Sequence, residues 1–164
     1  MRPEWAAPSS RLYRLRGGRR TELFDVIFAA ALESCAWLRL VLRHGAAADT
    51  CREVLDELYP FLHTREEVNR WPGSGVGPGR TVSLLTYGLE PAVAEIMCAQ
   101  TRQVLDWVQP ALPEDPHLLR VDGTVWFWST THEVQAWFYL TDTEWNDLQQ
   151  HFALLANSIR LWRY

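Results

Sequence analysis

The sequence predicts an α+β fold: a helical N-terminal two-thirds packed on a three-stranded antiparallel β-meander (about residues 117–140), followed by a C-terminal amphipathic helix (about residues 142–162). Three observations predict it. Apolar runs with helical spacing precede residue 110, an Asp-Gly turn separates two β-prone runs, and a Thr-x-x-Glu capping signature opens the last apolar stripe. The 164 residues suffice for one core, so we expect a basic N-terminal arm (1–20) and a single α+β domain (21–164).

The N-terminal arm concentrates positive charge. Residues 1–20 carry six arginines against Glu4, a balance of +5, whereas the rest of the chain has a balance of −9. Such an arm could follow a phosphate backbone, or it could be a solvated tail or pair with the acidic body. The candidate binding residues of this arm are Arg11, Arg14, Arg16, Arg19 and Arg20.

Helical spacing predicts the elements of the next ninety residues. The first helix runs from Thr21 to about Arg43, with Gly45 as its stop. A second begins near Thr50, where Thr50 and Glu53 match a capping box, and ends at Pro60. The same signature at Thr64 and Glu67 predicts a shorter helical turn that ends before Pro72, and a later helix runs from Pro91 to about residue 110. The pattern does not decide between strand and helical turn for residues 81–89.

A glycine-rich loop at residues 71–81 separates these helices. It resembles a phosphate-binding loop only superficially. The Walker pattern requires glycine or alanine where this chain has Ser74 and lysine where it has Arg80, and the dinucleotide pattern also fails. We therefore interpret it as a flexible connector or a partner-binding loop.

The meander carries an unusual density of aromatic residues. Asp122-Gly123 predicts a type I′ turn between the first two strands. Alternation directs Val125 and Phe127 to the face covered by the last helix, for which Thr141 and Glu144 form the capping box. The opposite face is too apolar to stay bare, so helices of the same chain, a partner subunit or a stacked ligand must cover it: Trp126, Trp128, Trp137 and Tyr139.

Catalytic signatures are missing from the sequence. No His or Cys spacing indicates a metal site, no cofactor motif occurs, and the three cysteines are expected to be reduced structural thiols. An enzyme would need a site assembled from distant residues, between the glycine-rich loop and the meander, using His132 or His151. The sequence leaves enzymatic activity uncertain and favours its absence.

Three function classes remain. The first is a non-catalytic protein-interaction protein, such as an inhibitor, adaptor or assembly component, with a protein partner or self-association. The alternatives are the small enzyme just described and nucleic-acid binding through the arginine arm and the aromatic face. All sixteen basic residues are arginine, which is typical of G+C-rich genomes and indicates a bacterium or phage. Charges interrupt the apolar run at residues 23–42, so we expect no membrane partner and a cytoplasmic location.

Overall fold

The computed structural model describes residues 3–18, 20–45 and 51–163, and its main element is an antiparallel sheet. Eight strands form this sheet: β1 (Arg11–Leu15), β2 (Trp37–Leu42), β3 (Leu62–Val68), β6 (Val82–Gly88), β7 (Glu114–Leu119), β8 (Val125–Thr130), β9 (Gln135–Leu140) and β10 (Ile159–Leu161). Their order is β10-β1-β9-β8-β7-β2-β6-β3. A separate two-stranded hairpin consists of β4 (Arg70–Trp71) and β5 (Ser74–Gly75).

The described residues include five α-helices, which lie against one side of the sheet, here called the helix face. They are α1 (Thr21–Ser34), α2 (Arg52–Leu58), α3 (Pro91–Gln100), α4 (Asp142–His151) and α5 (Ala153–Ser158), with 3-10 turns at residues 59–61, 104–106 and 131–133. One continuous apolar cluster joins helix residues such as Phe24 to sheet residues such as Leu40 and Phe138. No helix within the described ranges is long and apolar enough to cross a membrane. The opposite side of the sheet is called the open face.

The predicted fold class is wrong, because the N-terminal two-thirds contributes four strands to the large sheet rather than helices alone. Strand β2 shows the reason. Leu38 and Leu40 join the core on the helix face, while Val41 is buried in a cluster on the open face. A strand buried on both faces produces a near-continuous apolar run, which resembles a buried helix in the sequence.

Several of the predicted element boundaries are also wrong. Helix α1 ends at Ser34, and Cys35 is already extended, so the prediction that it reaches Arg43 is wrong. Residues 64–67 belong to strand β3 rather than to a helical turn, and α3 ends at Gln100, well before residue 110. The undecided residues 81–89 contain strand β6. The proposed cap at Thr50 lies outside the described residues.

The meander itself is confirmed as three adjacent antiparallel strands, β7, β8 and β9, but it forms the middle of a larger sheet. The predicted type I′ turn is wrong, since Gly123 has a positive φ of 81° and Asp122 does not. The backbone N–H of Arg120 donates to the Thr124 carbonyl, so three residues form the loop instead of two. A glycine in the left-handed region is typical of that loop length.

The capping box at the start of α4 is confirmed. Thr141 accepts a hydrogen bond from the Glu144 backbone N–H, and the Glu144 carboxylate accepts one from the Thr141 backbone N–H. The predicted single helix to residue 162 is wrong, because the backbone leaves helical geometry at Phe152 and residues Ile159–Leu161 form β10. That strand pairs with β1, which lies between it and β9. Five residues of the segment predicted as an arm therefore lie within the sheet.

Candidate binding cleft

The aromatic residues of the meander do not all share one face. A β-bulge in β8 opposite Leu118 and Leu119 brings Trp126 into the core on the helix face, where its ring meets Phe138 edge-on at 5.1 Å. The three other aromatic residues form a row on the open face. Their ring centroids are 4.8 Å apart between Trp128 and Tyr139 and 6.1 Å apart between Trp128 and Trp137.

Two segments of the same chain cover parts of the open face. In the first, residues 3–7, the Trp5 carbonyl accepts a hydrogen bond from the Val125 backbone N–H at 2.8 Å, and Ala6 packs with Trp128 and Tyr139. The second is the β4–β5 hairpin, whose Trp71 packs on Val41, Val82 and Leu84. The cover is thus an N-terminal segment and a hairpin, whereas the helices predicted for this role lie on the helix face.

A cleft of about 760 Å³ separates these two segments. Residues 3–5 form one wall, residues 70–72 form the other, and the sheet forms the floor. A smaller cavity of about 270 Å³ adjoins it toward β3 and shares Arg39 and Glu66 with it. The floor is largely apolar, and the charged residues of the large cleft are of both signs: Glu4, Arg39, Glu66 and Arg70.

Arg39 is the basic residue of the floor, and Glu66 of strand β3 is an acidic residue of the same floor. Arg39 Nε donates to Thr86 Oγ1 at 3.1 Å, and the two terminal nitrogens of Arg39 make no hydrogen bond or ion pair with other described residues. Burial lowers the pKa of the Arg39 guanidinium, and the nearby Glu66 carboxylate opposes that shift. An arginine that is half-buried and bonded at only one nitrogen can offer its other donors to a ligand.

Buried hydrogen bonds hold the hairpin wall in place. Trp71, 2% exposed, donates its Nε1–H to Asp115 Oδ2 at 3.0 Å. The other carboxylate oxygen of Asp115 accepts from the Thr131 backbone N–H at 2.8 Å and from its hydroxyl at 3.0 Å. Asp115 has a φ of 49°, a left-handed conformation that aspartate tolerates better than most residues. The carboxylate is therefore fully engaged in structure.

A second buried carboxylate, Glu114, anchors the neighbouring strand ends. It accepts a hydrogen bond from Arg43 Nε at 2.6 Å and lies 3.0 Å from His132 Nε2. The Arg43 guanidinium also lies over the Trp71 ring, 5.6 Å from its centroid, which links this cluster to the hairpin wall. His132 is thus placed in a structural ion-pair cluster beside the meander.

His117 lies behind the hairpin and is fully buried, with Nε2 at 3.5 Å from the Pro72 carbonyl. Burial lowers its pKa to about 4, although the adjacent Asp115 carboxylate acts in the opposite direction. It is neutral at physiological pH and inaccessible to a ligand in the cleft. Burial likewise raises the pKa of the thiols of Cys35 and Cys98, so neither is a ready nucleophile.

No protein-family model, curated protein or solved structure matches this chain. A role must therefore be inferred from the cleft and its surroundings. Within the part of the chain that the structure describes, no three His, Cys, Asp or Glu residues are grouped to hold a metal ion.

The remaining predicted site residues lie outside this cleft. Arg11 pairs with Asp142 at 3.1 Å and Arg20 with Glu22 at 3.0 Å, both at the surface. Arg14 and Arg16 line a separate groove near β10, while Arg19 lies outside the described residues. His151 is exposed in the last turn of α4 and is not a lining residue of the cleft.

Sequence reasoning missed the residues that line the cleft. Arg39 falls within the helix predicted from Thr21 to about Arg43, although it lies on strand β2 and its side chain lines the cleft on the open face. Trp71 was assigned to a flexible loop, although it is buried in the hairpin wall of the cleft. The Trp-Pro pair before the first glycine was the available signal, because a large aromatic residue in a glycine-rich loop usually requires burial.

Proposed function

We propose that the chain is a non-catalytic protein-interaction protein that accepts a segment of a partner protein in the cleft between residues 3–5 and the β4–β5 hairpin. The observation that carries this proposal is the composition of the cleft: the partly exposed Trp5 and two arginines surround an apolar floor of the sheet, with Glu4 and Glu66 in the same lining. Tryptophan and arginine are the residues most enriched among those that dominate binding energy at protein interfaces.

The state of the buried ionisable groups supports a binding role over a catalytic one. Asp115 and Glu114 are both satisfied by neighbouring side chains, and His117 is enclosed behind the wall. By contrast, Arg39 and Arg70 face the cleft without an ion-pair partner among the described residues. We extend the proposal to a bacterial or phage protein, on the arginine-only composition described above, and to a cytoplasmic location, on the charges that interrupt the apolar run at residues 23–42.

Site-specific photo-crosslinking tests the proposal. A photoreactive amino acid replaces Arg70 at the rim of the cleft, and a matched variant carries it at Glu57, an exposed position on α2. We expect one discrete protein adduct from position 70, absent at position 57, that excess unlabelled wild-type protein competes away. Equal labelling at both positions, or no adduct at position 70, would contradict the proposed site.

Affinity measurements with the purified partner then test the contacts. We expect Arg39→Gln to weaken binding by about tenfold or more, because a charge-assisted hydrogen bond in a desolvated cleft is lost. Arg102→Gln is the control, since Arg102 is exposed outside the cleft and the charge change is the same. Equal affinity for both variants would contradict a role for the Arg39 guanidinium.

A further inference from the structure

A second cavity, the arginine groove, lies at the β10 edge of the sheet and is separate from the cleft. It has a volume of about 480 Å³ and is formed by the ends of β1 and β10, the Gly17-Gly18 turn, Leu105 and Val134. Among the described residues that line it are three arginines, Arg14, Arg16 and Arg160, and none that is acidic. This arrangement is unusual in a chain whose formal net charge is −4.

Each arginine of the groove has donors available for a ligand. Arg160 uses Nη1 for the carbonyls of Asn157 and Ile159, at 3.0 and 2.8 Å, while its Nη2 and Nε bond to no other described residue. Neither Arg14 nor Arg16 forms a side-chain hydrogen bond or ion pair within the described ranges. Because Arg14 and Arg160 are register partners on adjacent strands, their like charges disfavour the empty groove and favour a bound anion.

An exposed aromatic ring completes the groove. Trp162 is 42% exposed and packs edge-on against Trp137, with ring centroids 5.3 Å apart. The Arg14 guanidinium lies over both rings, at 5.4 Å from Trp137 and 5.9 Å from Trp162, which holds it in a fixed position. The groove thus combines cationic donors with a ring on which a planar group can stack.

We infer that the arginine groove binds one nucleotide unit, with its phosphate held by the arginines and its base stacked on Trp162. Guanidinium groups match the geometry of phosphate oxygens, and a tryptophan face accepts any base. The groove volume lies in the range of small-molecule sites, and the net negative charge of the chain opposes a long polyanion. A free nucleotide is therefore favoured over an extended strand, although both supply the same chemistry.

Calorimetric titration at low salt tests the inference, with adenosine 5′-diphosphate as the probe. We expect Arg16→Gln/Arg160→Gln, two exposed positions, to weaken binding by about tenfold or more. The control, Arg11→Gln/Arg20→Gln, removes the same charge from exposed arginines that do not line the groove, and it should bind like the wild type. Thermal unfolding of all proteins verifies that the variants are folded.

Further probes separate the parts of the inference. Ribose 5-phosphate should bind more weakly than adenosine 5′-monophosphate, and Trp162→Ala should remove that difference; equal binding of the two probes by the wild type would overturn the stacking contact. A short oligodeoxythymidine that binds far more tightly than the free nucleotide would overturn the preference for a free ligand. No binding by the wild type, or equal losses in both double variants, would overturn the site.

Discussion

At Gly73 the backbone has a φ of 80°, and a Cβ atom there would lie 2.7 Å from both Thr130 Oγ1 and Trp128 Nε1. This glycine lets the β4–β5 hairpin lie directly on the sheet, where it forms one wall of the cleft. A side chain at residue 73 would have two costs. The residue would be held in the left-handed backbone conformation, and its Cβ would clash with two buried residues.

We expect Gly73→Ala to lower the free energy of unfolding by about 2 kcal/mol or more, since an L-residue in the left-handed region alone costs roughly 1–2 kcal/mol. Urea unfolding followed by tryptophan fluorescence measures the change. Gly77→Ala is the control, because a Cβ at Gly77 meets nothing within 4 Å and its φ is not positive. Similar stabilities for the two variants would show that the hairpin does not rest closely on the sheet.

The start of α4 is fixed by contacts that join three elements. Arg120, in the turn after β7, donates from Nε and Nη2 to the Glu144 carboxylate at 2.7 and 2.8 Å, and Nη2 also donates to the Tyr139 carbonyl of β9. Burial tends to raise the pKa of Glu144, but the hydrogen bonds from Arg120 and Thr141 outweigh it, and the net shift is downward. The capping box thus belongs to a clamp between helix and sheet.

We expect Thr141→Ala to lower the free energy of unfolding by about 1 kcal/mol, because the helix loses its N-cap acceptor. Thr143→Ala is the control, because it makes the same chemical change at an exposed position within the first turn of α4. It should leave the free energy of unfolding nearly unchanged. Chemical denaturation of both variants checks the difference. A loss of stability at Thr143 equal to that at Thr141 would indicate that helix propensity, not the cap, sets the effect.

Local signals in the sequence predicted the elements that depend on neighbouring residues. The Thr141 capping box and the three meander strands were predictable because their patterns span only a few residues. Strand β2 was not, since its burial on both faces comes from strands β6 and β7, which are distant in the chain. The cleft was not predictable either. Its lining comes from segments that are distant in the sequence: residues 3–5, β2, β3, β6, the hairpin and β8. A pattern of a few residues does not show which distant segments come together.

At the scale of the whole molecule, the cover on the open face determines how much apolar surface is exposed to water. Trp128 and Tyr139 are 6% and 5% exposed because residues of the same chain lie on them or beside them. Three of the large apolar residues that are exposed line the arginine groove, namely Val134, Leu161 and Trp162, and three others lie outside it: Leu32, Tyr59 and Val121.

We expect deletion of residues 1–9 to destabilise the protein and to make it self-associate, because Leu119, Val125 and their neighbours lose their cover. Light scattering after size exclusion measures the mass, and removal of residues 1 and 2 alone is the control. An unchanged mass and an unchanged unfolding midpoint for the longer deletion would show that residues 3–7 do not protect the open face.

The position of β1 has a consequence for how the chain is made. This strand, close to the N-terminus, is paired on one side by β9 and on the other by β10, the last strand of the sheet. During synthesis β1 is made long before either neighbour exists, so its contacts can form only after β9 and β10 have also left the ribosome. Pairing between such distant segments is slow. Native assembly of this edge, and of the arginine groove beside it, therefore waits until residues 135–161 have been made.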